Sequence, residues 1–245
     1  MSGSGCGAGW RLGVLPAAGE AGGSFRYSWE PRREGSSSGG DPERARVEAA
    51  RRARTKLRRY CAANGLNRLG TLTYAGEGCH DPRAFREHLG VFFRRLRRRL
   101  DVEALPYVWV PEWHKSGHGL HAHFAVGRFV PRSDIEGAWG RGFVHIKLLG
   151  DLPVGSGRLG EARLAARYLS KYVGKAFDER RIEGLHRYEV AQGFQPEVVA
   201  LEGRTVHEAL DRACDLMGGA PSKVWHSDQN DQWQGPPAVW ASWPG

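Results

Sequence analysis

Several things are scarce in this 245-residue chain. Its four cysteines (Cys6, Cys61, Cys79, Cys214) are scattered and form no CxxC pair, which excludes a disulfide framework and a zinc ribbon and fits a reducing compartment. No apolar run approaches the roughly 20 residues needed to cross a bilayer, so no membrane partner is expected. Met1 to Pro16 lacks the basic stretch and sustained apolar run of a secretory signal. A cytoplasmic protein is the expectation. Acidic residues are in the minority, with 27 Asp plus Glu against 36 Lys plus Arg and a net charge of +9. That balance favours an anionic partner, and nucleic acid is the commonest one.

Residues 1–40 are rich in Gly and Ser and offer too little apolar surface to offset ordering entropy, so they read as a disordered lead-in. Asp41-Pro42 then looks like an N-cap with proline at the first helical position, opening a basic helix that stops at Asn64-Gly65. Leu66 to Tyr74 reads as a strand. Asp81-Pro82 opens a second helix, ending in Arg94, Arg95, Arg97, Arg98 and Arg99. That run is either a solvated face or a track for DNA phosphates, whose neutralisation releases counterions. Leu105–Lys115 and Gly119–Phe129 read as a hairpin, with Pro111 implying an edge or a bulge. A short helix near Ser133–Trp139, a strand at Gly142–Leu149, a loop at Gly155–Gly160 and a helix at Glu161–Phe177 follow. Residues 186–200 suggest a strand and Val206–Met217 a helix; the Trp- and Pro-rich stretch 218–245 has no clear periodicity. Strands alternating with helices around one antiparallel hairpin argue for an α+β fold with a central antiparallel sheet. The expected division is therefore a lead-in (1–40), one folded domain (41–217) and a tail (218–245).

Four histidines, His114, His118, His121 and His123, fall within ten residues. On a strand, alternate side chains share a face, so His121 and His123 point one way while Leu120, Ala122, Phe124 and Val126 supply core on the other. Two imidazoles on a rigid strand make a two-ligand clamp for a divalent cation, and a carboxylate would complete it. Glu112, on the other strand of the hairpin, is the best placed, provided the register turns it toward the histidines. A structural zinc site built from the four histidines is an alternative, weakened by the lack of a nearby cysteine. A chance pair on a sheet surface is the other.

Tyr168, Lys171, Tyr172 and Lys175 fall on one arc of the helix expected at 161–177, while Ala162, Ala166, Leu169 and Val173 form a separate core arc. The tyrosines are therefore not needed for packing. Tyrosine attacks phosphorus when its proton can be lost, and adjacent lysines stabilise the phenolate.

His121-Ala122-His123 followed by Tyr168-Leu-Ser-Lys171-Tyr172-Val-Gly-Lys175, with Gly70-Thr71-Leu72-Thr73-Tyr74 upstream, resembles the His–hydrophobic–His (HUH) endonucleases. The likeness is to rolling-circle replication initiators of bacteriophages and plasmids with paired tyrosines. It implies a ferredoxin-like or RRM-like sheet carrying both histidines and a bound Mg2+ or Mn2+. It also implies nicking and rejoining of single-stranded DNA at a replication origin through a 5′-phosphotyrosine, with Tyr168, Tyr172, Lys171 and Lys175 as the catalytic set. Many relatives carry a helicase domain, yet no GxxxxGK[ST] phosphate loop occurs here, so a host helicase and polymerase are expected partners. A transposase or relaxase of the same superfamily would share this chemistry. A non-catalytic DNA-binding replication or regulatory protein is the rival of a different class.

Overall fold

The computed structural model describes residues 8–27, 41–147, 157–178 and 182–244. In chain order the elements are β1 (Gly9–Leu15), β2 (Glu20–Arg26), α1 (Pro42–Ala63), β3 (Arg68–Tyr74), α2 (Pro82–Arg99), β4 (Tyr107–Trp113) and β5 (Leu120–Val126). Then come α3 (Arg132–Trp139), β6 (Gly142–Lys147), α4 (Gly157–Asp178), β7 (Glu189–Val190), β8 (Val199–Gly203), α5 (Val206–Met217), β9 (Lys223–His226) and β10 (Ala238–Ser242). The chain divides into two compact units, Asp41–Gln195 and a second made from Met1–Gly40 with Pro196–Gly245.

The 41–195 unit is α+β. Its antiparallel sheet has the order β6-β3-β5-β4-β7. Over the succession β3-α2-β4-β5-α3-β6, the strands stand fourth, first, third, second across the sheet, which is the ferredoxin-like arrangement. Both long N-terminal helices start as the Asp-Pro pairs predict: Asp41 accepts a hydrogen bond from the Glu43 amide at 3.0 Å, and Asp81 from the Arg83 amide at 2.8 Å. Pro111 is tolerated because β7 pairs only with Val108 and Trp109, leaving β4 an edge where the proline sits.

Strand alternation splits this sheet between two cores. Leu72, Trp109, Ala122, Phe124 and Val126 face α2 and α3, packing on Phe85, Leu89, Phe92, Leu96 and Trp139. Leu69, Val108, Val110 and Ala125 face α1 and α4, packing on Leu57, Ala165, Ala166, Leu169 and Val173. The histidine face is the second of these.

The other unit corrects three expectations. Part of the presumed lead-in, residues 9–26, forms the hairpin β1-β2, and the tail supplies β9 and β10, in a sheet ordered β8-β1-β2-β10-β9. Residues 196–217 cluster with this unit and not with 41–195. The apolar cover that the N-terminal segment lacks comes from far along the chain: Val14 and Ala21 pack with Ala213, Ala241 and Trp243. The expected strand at 186–200 shrinks to two residues at 189–190, and the next strand runs on to Gly203. The Gly/Ser run at 35–40, the last residues of the expected strand 142–149 and the loop before Gly157 lie outside the described residues.

Candidate functional site

The histidines owe their placement to strand β5, which is buried throughout; His121 and His123 are 7% and 6% exposed. Gly119, at a φ of 81°, opens the strand where a side chain would meet the Cys79 backbone. The hairpin register pairs Glu112 with His121 and Val110 with His123, so the carboxylate does face the imidazoles. Glu112 Oε2 lies 3.1 Å from His121 Nε2 and 2.9 Å from His123 Nε2, and the two Nε2 atoms are 3.2 Å apart. Three donors so converged match the roughly 3 Å between adjacent ligand atoms held about 2.1 Å from one octahedral cation. The two-imidazole, one-carboxylate set suits a divalent metal, and the imidazoles incline it toward Mn2+ over Mg2+. Among the described residues, no other group of three His, Cys, Asp or Glu donors converges this closely. The four-histidine alternative is not assembled, since His118 Nε2 bonds the Tyr74 carbonyl at 3.0 Å and His114 Nδ1 meets the Ser116 hydroxyl at 2.6 Å.

Thr71 belongs to the site as well, which sequence alone does not reveal. Its Oγ1 is 3.0 Å from His123 Nδ1, and β3 places it directly beside His123. A hydroxyl accepting from Nδ1–H leaves Nε2 with its lone pair free for a metal. The signal is present in the Gly70–Tyr74 motif, but only the register ties it to a particular histidine. The buried His121 Nδ1 has no hydrogen-bond partner in the protein.

Electrostatics match the geometry. Burial by itself would push the Glu112 carboxyl up. Hydrogen bonds from His121, His123 and Lys175 outweigh it and hold the group well below the usual carboxylate range. Burial lowers the His123 pKa, with His121 and Lys175 adding to the effect against the opposing Glu112, so the neutral, metal-competent imidazole is favoured.

Helix α4 brings its tyrosines to the same place. The Tyr172 ring stacks on His123 with centroids 3.6 Å apart, and its hydroxyl lies 2.7 Å from that of Tyr168. Lys175 Nζ is 3.0 Å from Glu112 Oε1 and 5.3 Å from the centre of the Tyr172 ring. Burial raises the Tyr172 phenol pKa, reinforced by the Tyr168 hydrogen bond and the Glu112 charge. Lys171 is exposed and takes no part in these interactions. In its stead Lys147, on β6, stands 5.7 Å over the Tyr168 ring. The arginine run is not brought here either. Arg94, Arg95, Arg97, Arg98 and Arg99 are exposed on α2, whose apolar side packs against the opposite face of the sheet. Arg94 and Arg97 line an open cavity of about 440 Å³ beside Tyr107, and Arg99 pairs with Asp134 at 3.7 Å.

Residues 67–177 match a known protein family. That family is the ORF2-type replication-associated protein. The match covers somewhat under half the chain and includes Thr71, Glu112, His121, His123, Tyr168, Tyr172 and Lys175. It supports a role in replication initiation. No curated protein and no solved structure matches the chain. Among the described residues, no helix is long and apolar enough to cross a membrane.

Proposed function

We propose that this protein is a rolling-circle replication initiator that nicks and rejoins single-stranded DNA at an origin. The observation that carries the reading is the meeting of a Glu112–His121–His123 cluster with two tyrosines, Tyr172 stacked on one of its histidines. A divalent cation held by those three residues would polarise the scissile phosphate.

The chain's own residues account for the rest. A tyrosine oxygen, from Tyr168 or Tyr172, attacks phosphorus, and the 3′-oxygen of the preceding nucleotide leaves and takes up a proton. One phosphodiester is exchanged for another, so the 5′-phosphotyrosine keeps the bond energy and a free 3′-hydroxyl can reverse the step or prime synthesis. Tyr168 and Tyr172, hydroxyl to hydroxyl at 2.7 Å, can pass the phenolic proton between them. Lys175 and Lys147, each over one ring, favour the phenolate. Glu112 and Thr71 fix the imidazoles. Strand separation and synthesis fall to a host helicase and polymerase, and the exposed Arg94–Arg99 run holds flanking phosphates.

The test is cleavage of circular single-stranded DNA carrying the origin of its own replicon. The wild type should linearise it only with Mg2+ or Mn2+ and remain attached to the 5′ end. His121→Ala should lose cleavage and keep DNA binding. Metal-independent cleavage, or full activity in His121→Ala, refutes the assignment.

A further inference from the structure

One side of the sheet around this site is bare. On the histidine face, β6 contributes Phe143, His145 and Lys147, all exposed. Phe143 is 69% exposed, an unusual position for a large apolar side chain on a strand. Register fixes where it points. Lys147, Leu69, Ala125 and Val108 form one row across four strands, and His145, Thr71, His123 and Val110 form the next. Phe143 beside Thr73 continues the pattern one row on, where His121 and Glu112 lie on β5 and β4. Two strand spacings separate β6 from β5, so Phe143 stands about 10 Å from the metal ligands across the sheet. The helix α4 covers the sheet over Leu69, Val108, Val110 and Ala125, and stops short of the β6 side chains.

From this placement we infer that Phe143, with His145 beside it, is a stacking platform for a base of the single strand, a nucleotide or so from the scissile phosphate. This rests on the nucleic-acid reading of the neighbouring site. A flat aromatic ring in water beside a phosphate-handling centre suits an unpaired base, which offers a π-face whatever its sequence. Lys147, two side chains further along the same face, supplies a cation for the backbone between platform and tyrosines. Phe143 is thus a positioning residue. It touches the DNA and takes no part in bond exchange.

The experiment measures binding of fluorescein-labelled oligo(dT) of about 12 nucleotides, within the usual site size, by anisotropy with the full chain and Mn2+ present. Phe143→Ala should weaken binding by about five- to a hundredfold, the loss of one stacked base, and Phe143→Trp should restore it. Thermal unfolding of Phe143→Ala should match wild type, because an exposed ring contributes little to packing. Unchanged affinity in Phe143→Ala, or no oligo(dT) binding by the wild type, overturns the platform. Cleavage is read separately on origin DNA: binding that depends on Phe143 without cleavage supports the platform and refutes the nickase reading.

Discussion

Thr71→Val is the most informative single change, because it leaves all three candidate ligands in place. Valine matches threonine in shape and suits a strand, so β3 keeps its pairing with β5 and β6. Only the 3.0 Å hydrogen bond between Thr71 Oγ1 and His123 Nδ1 disappears. Without that acceptor the imidazole can take the other tautomer, with the proton on Nε2, where it cannot ligate. Losing such a supporting partner costs about 10- to 100-fold in metal affinity, or about 1.4–2.8 kcal/mol. The folded protein itself should lose about 0.5–1.5 kcal/mol, the net worth of one hydrogen bond. Calorimetric titration of the purified protein with Mn2+ measures the first quantity, and urea unfolding in chelator measures the second. His123→Ala, run in parallel, should abolish the Mn2+ signal. If Thr71→Val binds Mn2+ within about twofold of wild type while His123→Ala does not bind, Thr71 plays no orienting part.

Other consequences follow from particular residues. Leu89 is fully buried beneath the sheet on the α2 side, so Leu89→Ala should cost about 2–5 kcal/mol in urea unfolding; a loss under about 1 kcal/mol would contradict the packing described. His88 and His123 both have pKa values lowered from 6.5, chiefly by burial, so below about pH 6.5 the unfolded chain takes up protons that the folded one resists. Stability in chelator should therefore fall as pH drops from about 7.5 to 5.5; a flat or rising melting temperature would contradict those shifts. Neutralising Arg94, Arg97 and Arg98 should weaken binding to long origin DNA and flatten its salt dependence by about one unit for each phosphate no longer neutralised. An unchanged slope assigns the run to a solvated face.

The central site was legible in the sequence because each part is a local pattern. Alternation along β5 separates His121 and His123 from the apolar Leu120, Ala122, Phe124 and Val126, and helical spacing groups Tyr168, Tyr172 and Lys175. What joins these parts is not local. Glu112 meets the histidines through a register set by the turn before Gly119, and Thr71 meets His123 through a pairing of strands far apart in sequence. Lys171 shares the tyrosines' arc on a helical wheel but is exposed, and the cation over Tyr168 comes instead from β6. The terminal unit was illegible for a related reason. The glycines of β2 read as flexibility, yet a side chain at Gly23 would run into the Arg11 backbone of the paired strand. There, glycine serves close approach. β1 pairs with β8 from the far end of the chain, and no local period announces such a partner.

The most direct test of the central claim is to trap and map the covalent link. Wild-type protein, incubated with Mn2+ and single-stranded origin DNA, is denatured, digested with trypsin and nuclease, and examined by mass spectrometry for the modified peptide. The account predicts a nucleotide joined through a 5′-phosphate to Tyr168 or Tyr172, absent from the Tyr168→Phe, Tyr172→Phe double variant. Cleavage with no protein–DNA link, or an adduct that persists in the double variant, would contradict it.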